Sequence, residues 1–115
     1  MHLSTLAIVL VAALHVGFFI LESILWTSPK VMRMFGTTED EAEATRVLAL
    51  NQGLYNLGSA ALLIWFHLAG NTAAVMGVLV FLICMGIVGA ITANWRIFLF
   101  QSLPALAAFL LLYTV

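Results

Sequence analysis

The stretch LSTLAIVLVAALHVGFFILESILW, residues 3–26, holds a single carboxylate, Glu22, in an otherwise uncharged apolar run. A helix of about 20 apolar residues, rising ~1.5 Å per residue, crosses ~30 Å of hydrocarbon. An ionisable side chain inside such a span is costly and usually faces a bundle interior or a water-filled cavity. Glu22 lies about four residues, ~6 Å, inside the end of the run. The first span therefore predicts a polar site within a membrane.

Three further apolar runs follow, at residues 45–68, 72–93 and 97–115. Between the second and third stands the turn Ala69-Gly70-Asn71, and between the third and fourth only Asn94-Trp95-Arg96, which forces an antiparallel hairpin. The expected fold is all-α, an integral membrane four-helix antiparallel bundle forming a single domain, residues 1–115. In the first connection Ser28-Pro29 reads as an N-cap with a first-turn proline, and Gly36 ends the short helix that follows. Thr38 with Glu41 makes a capping box, with Glu39 and Asp40 placed favourably for the helix dipole. The second helix is thus expected to begin near Glu39 and run to about His67, its start extending beyond the membrane.

Composition agrees. The chain has 115 residues, 64% of them hydrophobic and 8% charged, with a mean hydropathy of +1.17. Soluble domains carry roughly 25% charged residues, so a water-soluble globule is excluded. A net charge of −1 gives no reason to invoke nucleic acid. Cys84 is the only cysteine, so no internal disulfide forms. No Lys or Arg precedes Lys30, which argues for a retained first helix rather than a signal peptide. The four basic residues, Lys30, Arg33, Arg46 and Arg96, fall in or beside the first and third connections. The positive-inside rule puts those connections in the cytoplasm and both termini outside, N-out and C-out. Trp26 and Trp95 at one boundary, with Trp65 and Tyr113 near the other, fit the same orientation.

Alternating helix directions let depths be compared. Asn51 and Gln52 lie ~9–11 Å inside the cytoplasmic boundary and Gln101 ~6 Å inside it, close to the level of Glu22. Tyr55 and Asn56 lie deeper. On a helical wheel Asn51, Gln52, Tyr55, Asn56 and Ser59 share one broad face, expected to point inward because lipid cannot satisfy it. His15, seven residues before Glu22, shares its face ~10.5 Å deeper. Glu22 and His15 are the candidate catalytic pair; Asn51, Gln52, Tyr55, Asn56 and Gln101 are the candidate ligand-binding residues. The competing reading makes the amides interhelical glue. His2, His15 and His67 fall at different depths and cannot share one metal, and no cofactor is assigned. Small residues on the third helix, Gly86 with Ala90 and Gly89 with Ala93, suit a close seam to another helix or to a second copy in a homo-oligomer. Pro104 removes the hydrogen bond to the Phe100 carbonyl and should kink the fourth helix just past Gln101.

At Leu21-Glu22 with Leu25-Trp26, at Ala49-Leu50-Asn51-Gln52-Gly53-Leu54-Tyr55-Asn56 and at Gln101-Ser102-Leu103-Pro104-Ala105 the chain resembles a known family. These are the small bacterial integral-membrane proteins grouped as domain of unknown function 1304. The resemblance implies a single four-span domain in the bacterial cytoplasmic (inner) membrane, and it brings no activity. The His/Glu pair is similar in chemistry, not in motif, to membrane-embedded sterol isomerases.

Three functions compete: a site that binds, or acts by acid–base chemistry on, a small lipophilic molecule entering from the lipid; proton or ion translocation along Glu22 and His15; and a structural accessory role. The orientation is checked by cysteine labelling. In a Cys84→Ser background, Thr37→Cys should be shielded from impermeant thiol reagents in intact cells and Asn71→Cys should react. The reverse pattern overturns it.

Overall fold

The computed structural model describes residues 2–114, and over them its regular structure is helical throughout, with no strand among the described residues. Six α-helices are α1 (Leu3–Phe19), α2 (Pro29–Phe35), α3 (Glu39–Ala44), α4 (Arg46–Leu68), α5 (Thr72–Thr92) and α6 (Leu103–Tyr113). Two π-turns interleave, Ile20–Ile24 after α1 and Phe98–Ser102 before α6. Three helical segments are long and apolar enough to cross a membrane: Leu3–Ile24, Arg46–Leu68 and Thr72–Thr92. The expected fourth span is a shorter apolar helix, Phe98–Tyr113; Val115, its expected end, lies outside the described residues, as does Met1.

The residues fall into two compact units, one built from the chain up to Leu14 and from Ser59 onward, the other from His15–Gly58. In the first, α5 buries Val75, Leu79, Leu82 and Gly86, a stripe at helical spacing. Ile8, Val11, Leu63, Ala105 and Ala108 complete that core. The opposite side of α5 exposes Val80, Phe81, Val88 and Ile91, which suits lipid rather than water. Partners of α5 run backwards in sequence along the following helix: Leu82 and Ile83 meet Gln101 and Ser102, and Gly89 meets Ile97. The two helices are therefore antiparallel. Gly86 and Gly89 face the chain's own Ser102 and Ile97, so this part of the small-residue stripe is an intrachain seam.

In the His15–Gly58 unit, the end of the first span pairs with the start of α4 in the same antiparallel sense. Ser28 caps α2, its Oγ accepting from Val31 N at 3.3 Å, and Gly36 ends it at φ 68°. The capping box forms: Thr38 N donates to Glu41 Oε1 at 3.0 Å, and Glu41 N to Thr38 Oγ1 at 3.1 Å. That backbone donor, with the Thr38 side chain's help, holds the Glu41 carboxyl below its ordinary value. The long second helix expected from Glu39 is instead divided at Thr45, which adopts φ −103° and ψ 4°. Its hydroxyl donates to Glu41 O at 2.7 Å and accepts from Trp26 Nε1 at 3.0 Å. Such back-bonding by Thr bends helices, and the indole fixes the bend here.

Where a kink just past Gln101 was expected, the structure has a π-turn, Phe98–Ser102, ahead of Pro104. Leu103 N closes it by donating to Phe98 O. The matching turn Ile20–Ile24 has no proline and was not foreseeable from one; Leu25 N closes it on Ile20 O at 2.9 Å. A π-turn carries more residues per turn than the 3.6 of an α-helix, so neighbouring side chains diverge by less. Glu22 and Ser23 can then both reach α4, and Gln101 and Ser102 both reach α5.

Both turns seat the same contact. Ser23 Oγ donates to Leu50 O at 2.9 Å beside Gly53, and Ser102 Oγ to Ile83 O at 2.9 Å beside Gly86. A Cβ at Gly53 would collide with Ser23 Oγ and press within 3.0 Å of its backbone nitrogen. Gly53→Ala should cost about 1–3 kcal/mol in thermal unfolding in detergent, as overpacked cores do. Adding Ser23→Ala should recover part of that. Gly58→Ala, where nothing lies within 4 Å, should be neutral or stabilising by up to about 1 kcal/mol. Equal effects at Gly53 and Gly58 would show that the close approach is not needed.

Candidate functional site

Glu22 sits in the π-turn, half-buried, and its Oε1 accepts from Asn56 Nδ2 at 2.6 Å. The short distance is that of a strong amide–carboxyl bond. Asn56 is 8% exposed, so the pair is screened from the surroundings on the α4 side.

Beside the pair opens a pocket of about 340 Å³ lined by Glu22, Trp26, Thr45, Leu48, Ala49 and Gln52. Its position follows from local structure. The π-turn turns Glu22 toward α4; the Trp26–Thr45 bond holds the indole against the start of α4; and Ala49 is small enough to leave the space between. Trp26 also packs against Phe35 of α2, ring centroids 5.1 Å apart. The pocket is polar at Glu22 and Gln52 and apolar along Trp26, Leu48 and Ala49. Its side-chain donors and acceptors are one carboxyl, one amide, one hydroxyl and one indole N–H; among the described residues no three of His, Cys, Asp and Glu gather to hold a metal ion.

The inward face of α4 differs from the one expected. Ala49, Gly53, Asn56 and Ala60 are buried, while Asn51, Gln52 and Tyr55 are exposed, Tyr55 by 76%. The reason is steric: the helix carrying Ser23 approaches so closely that only small residues fit beneath it. The amides are displaced to the flank. Of the five residues expected on that face, Asn56 alone is buried; Gln52 reaches the pocket from the rim, and Asn51 and Tyr55 are not among its lining residues.

His15 is fully buried and stands edge-on to Phe18, ring centroids 5.1 Å apart at 70°. It does not line the pocket. The helix changes to the π-turn Ile20–Ile24 before it reaches Glu22, so a seven-residue spacing no longer sets His15 and Glu22 on one straight-helix face. Gln101 belongs to the other unit, where its Nε2 donates to Leu82 O at 3.0 Å as an interhelical tie. Three contributors were missed from sequence: Ser23, Trp26 as a wall, and Thr45. The signal for Ser23 was present in its position next to Glu22, opposite a glycine on the next helix.

No curated protein and no solved structure matches the chain at a significant level. A family does: the match covers residues 9–113, and within it lie the π-turn with Glu22, the bend at Thr45, Gly53 and Asn56, and the tie at Gln101. The chain belongs to the family described as protein of unknown function DUF1304.

Proposed function

We propose that the pocket beside Glu22 binds a small lipophilic molecule from the membrane and presents its polar head to the Glu22 carboxyl for acid–base chemistry. The setting is a multi-pass protein of the bacterial cytoplasmic membrane, its four apolar helices packed as an antiparallel bundle with both termini outside. The observation that supports the reading is the position of the carboxyl. Glu22 stands within the first span at the polar end of an open pocket whose other wall is apolar. A carboxyl kept only as glue is an expensive choice where an amide would serve.

In this reading Asn56 is a positioning residue that fixes the orientation of the carboxyl, and Gln52 at the rim orients the ligand head. Trp26, Leu48 and Ala49 bury the lipophilic body. His15, buried and away from the pocket lining, takes no part in binding the ligand in this reading. A structural role is favoured for Gln101, whose bond to Leu82 O ties two helices together.

The test separates charge from hydrogen bonding. The Glu22→Gln side chain can still accept from Asn56, so the variant should fold with a melting temperature close to wild type. A lipophilic adduct copurifying with the wild-type protein, read by native mass spectrometry, should be lost from Glu22→Gln. Asn56→Leu should instead lower stability by about 1–3 kcal/mol, because it leaves the carboxyl unpaired. A folded Glu22→Gln protein with the wild-type adduct would remove Glu22 from the function.

A further inference from the structure

We infer that the pocket takes a lipophilic cation, an amphiphile with a substituted ammonium head and an alkyl or aryl body; the inference rests on reading the pocket as a binding site. A carboxylate in an apolar span needs a compensating charge or must stay neutral. Asn56 supplies a dipole to Oε1 and no charge. No Lys or Arg lines the pocket, and among the described residues none forms an ion pair with Glu22. Arg46, next in sequence to the wall residue Thr45, has its Nε on Glu43 at 3.2 Å. The protein has thus set a carboxyl at the mouth of an oily pocket and withheld the cation.

The remaining wall chemistry points the same way. The polar atoms of Trp26 and Thr45 are spent internally: Trp26 Nε1 donates to Thr45 Oγ1, which donates to Glu41 O. What Trp26 offers a ligand is its ring, which attracts cations by its quadrupole. The side-chain amide of Gln52 makes no hydrogen bond to the described residues, so its carbonyl can accept from or face an ammonium group. With Glu22 ionised, an anionic head would be repelled and a neutral head would leave the carboxylate uncompensated, whereas a cation supplies the charge that lets it ionise. A volume of about 340 Å³ holds a small ammonium head with the first part of its chain. The open side lets a longer tail continue into lipid.

The probes are dodecyltrimethylammonium, dodecanol and dodecanoate, each below its micelle-forming concentration, with the full chain in nanodiscs of zwitterionic lipid. The ammonium head carries a fixed charge, so ligand protonation does not enter. Trp65→Phe and Trp95→Phe, at exposed positions, leave Trp26 as the sole reporter. Empty nanodiscs correct for partition into lipid. Dodecyltrimethylammonium should change Trp26 emission saturably and bind roughly tenfold or more tightly than dodecanol, and dodecanoate should bind least. Glu22→Gln should erase that advantage and bring the cation and the alcohol to similar affinity. Because the comparison of charges is made on the native site, it holds even if Glu22→Gln does not fold. Dodecanol binding as tightly as the cation would overturn the inference while leaving a lipophilic pocket. No saturable change with any of the three would overturn both.

Discussion

The hydroxyl of Ser23 lies against Gly53 and donates to the Leu50 carbonyl, and much of the candidate site depends on that one close approach. Apolar side chains gain little by associating with each other in lipid, so contact between helices relies on close packing and on hydrogen bonds the lipid cannot supply. The Ser–Gly contact provides both. It draws the π-turn onto α4, and the wider turn lets the adjacent Glu22 face the same helix and find Asn56. The protein repeats the device in its other unit with Ser102, Gly86 and Ile83. There the neighbour is Gln101, a neutral amide that ties helices, where the first unit has a carboxyl beside a pocket. The same geometry thus carries a structural residue in one case and a titratable one in the other.

The two settings help to separate glue from chemistry. Gln101 spends its amide hydrogen on a backbone carbonyl, which is the work expected of a polar residue that only joins helices. Among the described residues the Glu22 carboxyl has one hydrogen-bond partner, Asn56, and of the pocket walls beside it Trp26 and Thr45 have their polar atoms already engaged. Satisfying Trp26 and Thr45 within the protein leaves the carboxyl and Gln52 as the groups that remain to meet a ligand.

Much of this fold was legible in the sequence because hydrophobic length and cap chemistry are local signals. The first three apolar runs, the Ser28 and Thr38 caps and the turn glycine Gly36 need only neighbouring residues to be read, and each appears where expected, while the fourth run forms a shorter helix. The site was less legible because it is set by contacts between helices. A wheel drawn for α4 alone puts Asn51, Gln52 and Tyr55 inward, since polarity is the only criterion it has. The structure decides by size: Ser23 requires Gly53, and the stripe Ala49, Gly53, Asn56 and Ala60 follows. The same blindness placed His15 in register with Glu22, because nothing in residues 20–24 marks a π-turn without the helix it packs against.

The bend at Thr45 gives the first connection an unusual standing. Helix α3 has six residues, too few to persist in isolation, and it is held by its capping box at one end and by Thr45 at the other. Thr45 and its indole donor Trp26 are also pocket wall. Surface connections ordinarily tolerate insertions because their only duty is to join what they link. This one is masonry: the distance along the chain from Thr38 to Thr45 sets where a wall of the pocket stands. Lengthening the turn at Gly70 would leave every wall of the pocket where it is, whereas lengthening the acidic helix before Thr45 would move one of them, exposed though most of that helix is.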